Sequence, residues 1–443
     1  MTILAELIRN TVLEHRDRVA LVDSADGSEH TYRELDRSFN RVANALDMLG
    51  LQPGDHVGIL QRNSHHWIAC EGGLAKAGMV TVPLNVYLSP QELVWLLKHS
   101  DSRAVFLTSD EASLLEPLRA DVSACKWFLC IPRGDARVPG WTTDLNEILG
   151  SAQDSDPSRN ISPIQAHRIM YTSATTGMPK GVICANWVFC GGIVTALANQ
   201  LRDVSESDRF LAATPLTHMA GGFFWSFFAR GATTVTMRQF SPEHACEVIE
   251  KYGITHTVLV PTMIIMLLDY LKENPQAAER FRQGSLRAVW YAGSPIPISV
   301  AQEAEKAMGS ILNQQYGFTE AWGAHPAVSV TQLTARWHNR KVGSCGRALI
   351  GSVVRVVDDQ GNPVRAGELG EIVVKSEGLV AGYWNKSDET PGAYRAGWIH
   401  SGDIGYFDDD GFLYIKDRKD DMIISGGLNI YPAEVENVLL IFS

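Results

Sequence analysis

Arg168–Val182 reads RIMYTSATTGMPKGV, a short apolar strand that runs directly into a loop of hydroxyls, glycine and one lysine. A continuous apolar run closed by turn residues is the form of a strand buried on both faces, as in a parallel sheet. The loop places Thr172, Ser173, Thr175, Thr176, Gly177 and Lys180 within nine residues. Hydroxyls and backbone N–H groups can ring phosphate oxygens, and a lysine adds a mobile positive charge. The spacing is not G-x-x-x-x-G-K-[ST], because Lys180 follows Gly177 by three and precedes Gly181. By composition alone the stretch fits either a phosphate cradle or an ordinary polar turn.

Similar strands follow. RFLAATP (Arg209–Pro215), TTVTM (Thr233–Met237), HTVLVP (His256–Pro261) and LRAVWYAG (Leu286–Gly293) alternate with helical stretches such as SPEHACEVIEKYG (Ser241–Gly253). Upstream, Thr31 and Glu34 make a capping box for a helix that puts Leu35, Phe39, Val42, Leu46 and Leu49 on one face and stops at Gly50. HVGIL (His56–Leu60) reads as a buried strand, Ser89, Pro90 and Glu92 open a helix through Leu97, and RAVFLTS (Arg103–Ser109) is the next strand. Beyond Lys341, VVRVVDDQGNPV and GYFDDDGFLYI put Asp, Asn and Gly at hairpin positions. The Asp408–Asp410 run reads as solvated surface. The expected fold is α/β: two helix-covered, mostly parallel sheets over 1–160 and 161–340, then a small antiparallel β-barrel subdomain over 341–419. In such sheets ligands sit where strands end and loops splay apart.

Composition narrows the function. The 443 residues are 45% apolar, as in an ordinary globular protein, and 39 basic against 50 acidic side chains give a net charge of -11 with no dense basic run. Nucleic acid is therefore an unexpected partner. Met1–Leu13 lacks the build of a signal peptide and no run of about 18 uncharged apolar residues could span a bilayer, so a cytoplasmic location is expected. Seven scattered cysteines, without a C-x-x-C pair, read as reduced core residues.

Two further groups carry chemistry. In QQYGFTE (Gln314–Glu320), Tyr316 offers a flat face for a base, Thr319 a hydroxyl for a phosphate and Glu320 a hard oxygen ligand for Mg²⁺, although such residues also make surface turns. In HSGDIG (His400–Gly405), Asp403 can accept hydrogen bonds from ribose hydroxyls, and Arg418, after the next strand, can reach the same sugar.

In this order the three groups resemble the adenylate-forming superfamily of acyl-CoA synthetases, peptide-synthetase adenylation domains and luciferases, most closely its fatty-acyl and aryl-CoA ligase branch. The resemblance spans essentially the whole chain: YTSATTGMPKG is similar to the family's phosphate loop, QYGFTE to its adenine and magnesium motif, HSGD to its ribose motif and DRKDDMIISGGLNIYP to its hinge. It implies ATP, Mg²⁺ and CoA as cofactors or co-substrates and a small carboxylic acid as substrate. Thr172, Ser173, Thr175, Thr176, Gly177 and Lys180 would handle the β and γ phosphates, and Thr319 the α-phosphate. Glu320 would hold Mg²⁺. Tyr316 would stack on adenine beside Gln315 and Gly317, with Gly293, Ser294 and Pro295 bordering adenine and substrate. Asp403 and Arg418, near Ile415, would hold the ribose. Lys180, Thr319 and Glu320 are the implied catalytic residues, and Asp420 the hinge. His218 in PLTHMAGG matches the acyl-pocket position, a packed or capping histidine being the plain alternative. Met219, Gly222, Phe223, Val260, Pro261, Tyr291 and Trp322 would share that pocket, which suits a hydrophobic or aromatic acid.

The implied chemistry needs no protein nucleophile. A carboxylate attacks the α-phosphorus of ATP, pyrophosphate leaves, and a thiol then displaces AMP from the acyl-adenylate. Two positions depart from the pattern: Ala174 stands where glycine is usual, which stiffens the loop, and Gln315 fills another frequent glycine position, which narrows or polarises the pocket wall. Family members continue for roughly another domain beyond Pro432, with a lysine that contacts the reacting groups. Residues 420–443 therefore read as the hinge and start of that domain, and the expectation for this chain alone is nucleotide binding with slow adenylation and poor transfer to CoA. Alternatives are a carrier-protein or amine acceptor, an inorganic acid, or a nucleotide-binding pseudoenzyme. A homodimer is the state the resemblance suggests.

Overall fold

The computed structural model describes residues 2–134, 136–172, 179–322, 330–338, 340–376, 382–385, 394–395, 397–419, 423–425 and 428–430. Local signals become local structure where the sequence places them. At the head of helix Tyr32–Met48, the Glu34 N–H donates to Thr31 Oγ1 (3.2 Å) and the Thr31 N–H to Glu34 Oε2 (2.8 Å). Ser89 and Glu92 repeat the arrangement ahead of helix Pro90–His99. Helix His65–Ala77 packs closely on Tyr32–Met48 because Gly72 and Gly73 lie beneath Phe39 and Val42. A Cβ at either glycine would stand 2.4 Å from those side chains, far inside contact distance.

Two large sheets form the body. The nine-stranded sheet runs, edge to edge, Arg347–Ala348, Thr331–Leu333, Leu312–Tyr316, Ala288–Tyr291, His256–Leu259, Arg209–Ala212, Thr233–Thr236, Val19–Asp23 and Glu29–Thr31. The eight-stranded sheet runs Gly382–Tyr383, Lys180–Ala185, Ala166–Thr172, Val80–Pro83, His56–Leu60, Ala104–Thr108, Trp127–Ile131 and Thr143–Asp144. Their central strands are parallel. The division expected at residue 160 does not coincide with the sheets. Val19–Asp23 lies parallel to Thr233–Thr236, while Ala166–Thr172 joins Val80–Pro83. One core explains the exchange: Leu21, Phe39, Phe106, Phe189, Trp225 and Trp290 belong to a single cluster contributed by both sheets and the helices between them.

The third unit is an antiparallel five-stranded sheet in which Ser352–Val357, Gly370–Ser376 and Trp398–Phe407 are successive neighbours. Tyr394–Arg395 and Leu413–Arg418 both pair with Trp398–Phe407. Its hairpins use the expected turn chemistry, with Asp358 accepting from the Gln360 and Asn362 N–H groups. The acidic run is not merely solvated: Lys341 Nζ donates to Asp408 (2.8 Å) and Asp410 (2.5 Å), tying the start of this unit to its last hairpin.

Buried histidines set an acid limit. Burial pulls His167 down to about 3 and His256 to about 4, so both stay neutral in the fold while the unfolded chain takes up protons near pH 6.5. Their contribution is complete above that pH and is lost as pH falls towards 4, at up to about 1.4 kcal/mol per pH unit for each. Urea titrations at pH 7.0, 6.0 and 5.0 should show a falling midpoint, reduced in slope by His167→Phe.

Candidate functional site

The carboxyl ends of both large sheets and one edge of the third converge on the motif residues. Thr172 and Lys180 are register partners at the mouth of the antiparallel pair Ala166–Thr172 and Lys180–Ala185. Ser173, Thr175, Thr176 and Gly177 lie outside the described residues, as does Asp420. The edge strand Gly382–Tyr383 pairs with Lys180–Ala185, and the Lys180 ammonium stands 5.3 Å from the centre of the Tyr383 ring, in cation–π range. The Tyr383 hydroxyl donates to Glu320 Oε1 at 2.7 Å. Glu320 and Thr319 open the short helix Thr319–Trp322, just past strand Leu312–Tyr316.

That strand delivers the second link. The Tyr316 hydroxyl donates to Asp403 Oδ2 at 2.6 Å. Asp403 is the register partner of Arg418, whose Nε stands 3.6 Å from Asp403 Oδ1. The Asp403 N–H donates to Ser401 Oγ, which in turn donates to the Ile372 carbonyl. Burial pushes the Asp403 carboxyl above its ordinary value, with Glu320 and Glu371 pushing the same way, while the Tyr316 hydroxyl and Arg418 pull it back. Arg418 is about half exposed, so its guanidinium remains available to a ligand. Ile415 packs in the same small cluster as Tyr316. The glycine of the Gly293–Ser294–Pro295 loop has φ of 96°, and all three residues are exposed.

The proposed acyl residues divide. His218 precedes helix Met219–Phe228 and is accessible to solvent although set deep in the protein. Burial lowers its pKa, as does the charge of Arg168, so the imidazole is neutral. Met219 and Gly222 are buried in the first turns of that helix, and Val260, half-buried, caps helix Pro261–Glu273. Phe223 is a core residue stacked on Phe210 at 5.6 Å. Tyr291 does not join them. Strand alternation turns it to the other face of the sheet, where its hydroxyl lies 3.0 Å from Gln314 Oε1 and 2.8 Å from His338 Nε2. Trp322 lies in the short helix after the motif, beside Glu320 in sequence.

A family model described as AMP-binding enzyme matches residues 8–384. The chain belongs to the AMP-binding enzyme family. It is 33% identical over 424 residues to the fatty acid–[acyl-carrier-protein] ligase ScoC of Streptomyces coeruleorubidus, covering 94% of this chain and 77% of the relative. It is 34% identical over 428 residues to the long-chain-fatty-acid–CoA ligase FadD13 of Mycobacterium tuberculosis, covering 95% and 80%. Among solved structures, the O-succinylbenzoate coenzyme A synthetase MenE of Bacillus subtilis in complex with ATP and magnesium ion superimposes with a TM-score of 0.83 at 27% identity, covering 98% of this chain and 84% of that one.

Among the described motif residues, Glu320 is a carboxylate that could hold a divalent cation. Among the described residues no group of three His, Cys, Asp or Glu side chains could hold a metal by itself. Glu320, one carboxylate already oriented by Tyr383, matches the way Mg²⁺ is usually held, by one or two carboxylates together with substrate phosphates. The sequence reading missed Tyr383. Nothing around GYW (Gly382–Trp384) marks a site, and the tyrosine becomes relevant only because its strand docks beside Lys180.

Proposed function

We propose that this chain uses ATP to convert a hydrophobic or aromatic carboxylic acid into an acyl-adenylate and passes the acyl group to the thiol of coenzyme A. As an AMP-binding enzyme whose relatives are acid–thiol ligases, it is an ATP-dependent acid–thiol ligase. The observation that carries the finer reading is the contact of Tyr383 with both Lys180 and Glu320, which sets a cation and a carboxylate beside Thr172 and Thr319. Lys180 and the loop after Thr172 would hold the β and γ phosphates, and Thr319 the α-phosphate. Asp403 and Arg418 would hold the ribose. Mg²⁺ bound by Glu320 and the phosphates would neutralise charge on the departing pyrophosphate. His218, neutral, would border the acyl group without adding a second positive charge.

In the first step a carboxylate oxygen bonds to the α-phosphorus and the bond to pyrophosphate breaks. In the second the thiol sulfur bonds to the acyl carbon and AMP leaves. Catalysis rests on holding the reactants in line and stabilising developing charge. The name of ScoC favours a carrier-protein thiol as the alternative acceptor. Pyrophosphate release measured against a panel of acids, with CoA, with a carrier protein and with neither, tests both steps, and no acid-dependent release with any acid would overturn the reading.

The ribose assignment has its own test. Asp403→Asn removes the carboxylate that Tyr316 and Arg418 address, so AMP affinity by calorimetry should fall about tenfold to a hundredfold. A change below about threefold would remove Asp403 from the site. Cytoplasmic location is supported by the seven cysteines, all free. No helix among the described residues is long and apolar enough to cross a membrane.

A further inference from the structure

His99 stands outside every motif, yet it is tied to both strands that carry the ends of the phosphate loop. Tyr171 and Gly181 are register partners one rung behind Thr172 and Lys180. The Tyr171 hydroxyl is hydrogen-bonded to His99 Nδ1 at 2.9 Å, and the His99 ring is stacked on Trp95 at 4.6 Å. Gly181 is reached through Trp384. Its carbonyl accepts from the Trp384 N–H at 2.7 Å, and the Trp384 indole N–H donates to the His99 carbonyl at 2.9 Å.

The end of a helix explains the arrangement. His99 closes helix Pro90–His99, and the last carbonyls of a helix find no partner within it. Trp384 supplies a donor there, as does Asn385 Nδ2 at 3.3 Å, so the edge strand Gly382–Tyr383 is moored beside Lys180–Ala185. The Tyr171 ring lies over Gly181, where a Cβ would stand 3.2 Å from it. Trp95 on its face and the Tyr171 hydroxyl at its edge hold the His99 ring in one orientation. The effect runs forward to the chemistry: Thr172 follows Tyr171, Lys180 precedes Gly181, and Tyr383, just before Trp384, touches both Lys180 and Glu320.

We propose that His99 is a positioning residue for the phosphate chemistry: through Tyr171 and Trp384 it holds Thr172, Lys180 and Tyr383 in register, and so aims Lys180 and Glu320 at the β and γ phosphates. Groups that act on a transition state need their orientation fixed by bonds behind them, because a misplacement of about 1 Å costs about a hundredfold in rate. The inference rests on the adenylate-forming reading and deepens it.

Two nucleotides separate this role from a general one. AMP lacks the β and γ phosphates, so calorimetry on the full chain with AMP, and with α,β-methylene-ATP and Mg²⁺, reads the placement of the loop. Initial rates of acid-dependent pyrophosphate release read its effect on the reaction. Tyr171→Phe removes only the hydroxyl and keeps the ring over Gly181, so it should melt close to the parent. Tyr171→Phe and His99→Ala should each bind the ATP analogue about tenfold more weakly and release pyrophosphate about tenfold to a hundredfold more slowly, with AMP affinity unchanged. The double variant should lose no more than His99→Ala alone, because both changes cut the same hydrogen bond. Additive losses would overturn the proposal and leave the nucleotide site standing. So would changes below about threefold for Tyr171→Phe in both readouts, or AMP affinity falling in step with that of the analogue. A parent that binds neither nucleotide and releases no pyrophosphate with any acid would overturn the adenylate-forming reading, and this inference with it.

Discussion

Glu320→Gln should lower acid-dependent pyrophosphate release by about 10²–10³-fold at saturating acid, the usual loss when one preorganised electrostatic contact to a transition state is removed. Glutamine keeps the shape and can still accept from the Tyr383 hydroxyl, but it lacks the charge that a cation and the phosphates require. Lys180→Met should cost a similar factor because it removes a positive charge at the phosphate loop. Tyr383→Phe is the informative companion. It leaves both charged groups and removes only the hydroxyl that orients Glu320, so its expected loss is about tenfold, from one hydrogen bond. Initial rates with ATP and an active acid, together with melting curves to confirm folding, decide the matter. If Glu320→Gln and Lys180→Met each cost less than about tenfold, these residues do not handle phosphate chemistry.

The largest expected loss of stability lies beneath the site. Arg168 and Glu71 form an ion pair whose side chains are fully buried, and the Trp225 indole N–H donates to the second Glu71 oxygen at 2.9 Å. Burial draws Arg168 down to about 10, so the guanidinium still carries its charge at neutral pH. Glu71→Leu strands that charge and the indole N–H together, and breaking a buried pair this way costs about 3–5 kcal/mol. Arg168→Met strands the carboxylate and should cost a similar amount. The double variant Glu71→Leu with Arg168→Met should recover most of the loss, since apolar groups of similar volume often replace a buried pair without penalty. Urea midpoints measured in parallel should rank parent and double variant well above either single variant. Equal and additive losses would show that the two side chains do not act as a pair. The pair joins the strand that ends at Thr172 to helix His65–Ala77, and the Trp225 hydrogen bond carries the link on to the helix that begins after His218, so the single variants should also weaken AMP binding.

Much of this was legible before any coordinates. Thr31 with Glu34 and Ser89 with Glu92 signal helix starts because a cap is a contact between residues three apart, and both form. The apolar runs RIMYTS, RFLAATP and HTVLVP became strands of parallel sheets because only burial on both faces tolerates such composition. The motif residues Lys180, Glu320, Asp403 and Arg418 were named from local pattern alone, and the tertiary fold sets Lys180 and Glu320 on either side of Tyr383 and pairs Asp403 with Arg418.

What failed to show was contact between segments far apart in sequence. The assignment of Val19–Asp23 to the later sheet, the docking of Tyr383 beside Lys180 and the grip of Lys341 on Asp408 and Asp410 each depend on an edge or a charge presented by a segment tens to hundreds of residues away. Tyr291 illustrates the boundary. Its strand was readable, but which of its side chains would meet helix Met219–Phe228 depended on where that helix came to lie, and the helix covers Trp290 instead. The amino-acid sequence determined the elements, their caps and the chemical types at their ends, because those rest on neighbours along the chain. Only the tertiary structure decided which faces meet, which edge strands pair and which buried charges find partners, because these are settled by burial against surfaces that exist only once the sheets have assembled.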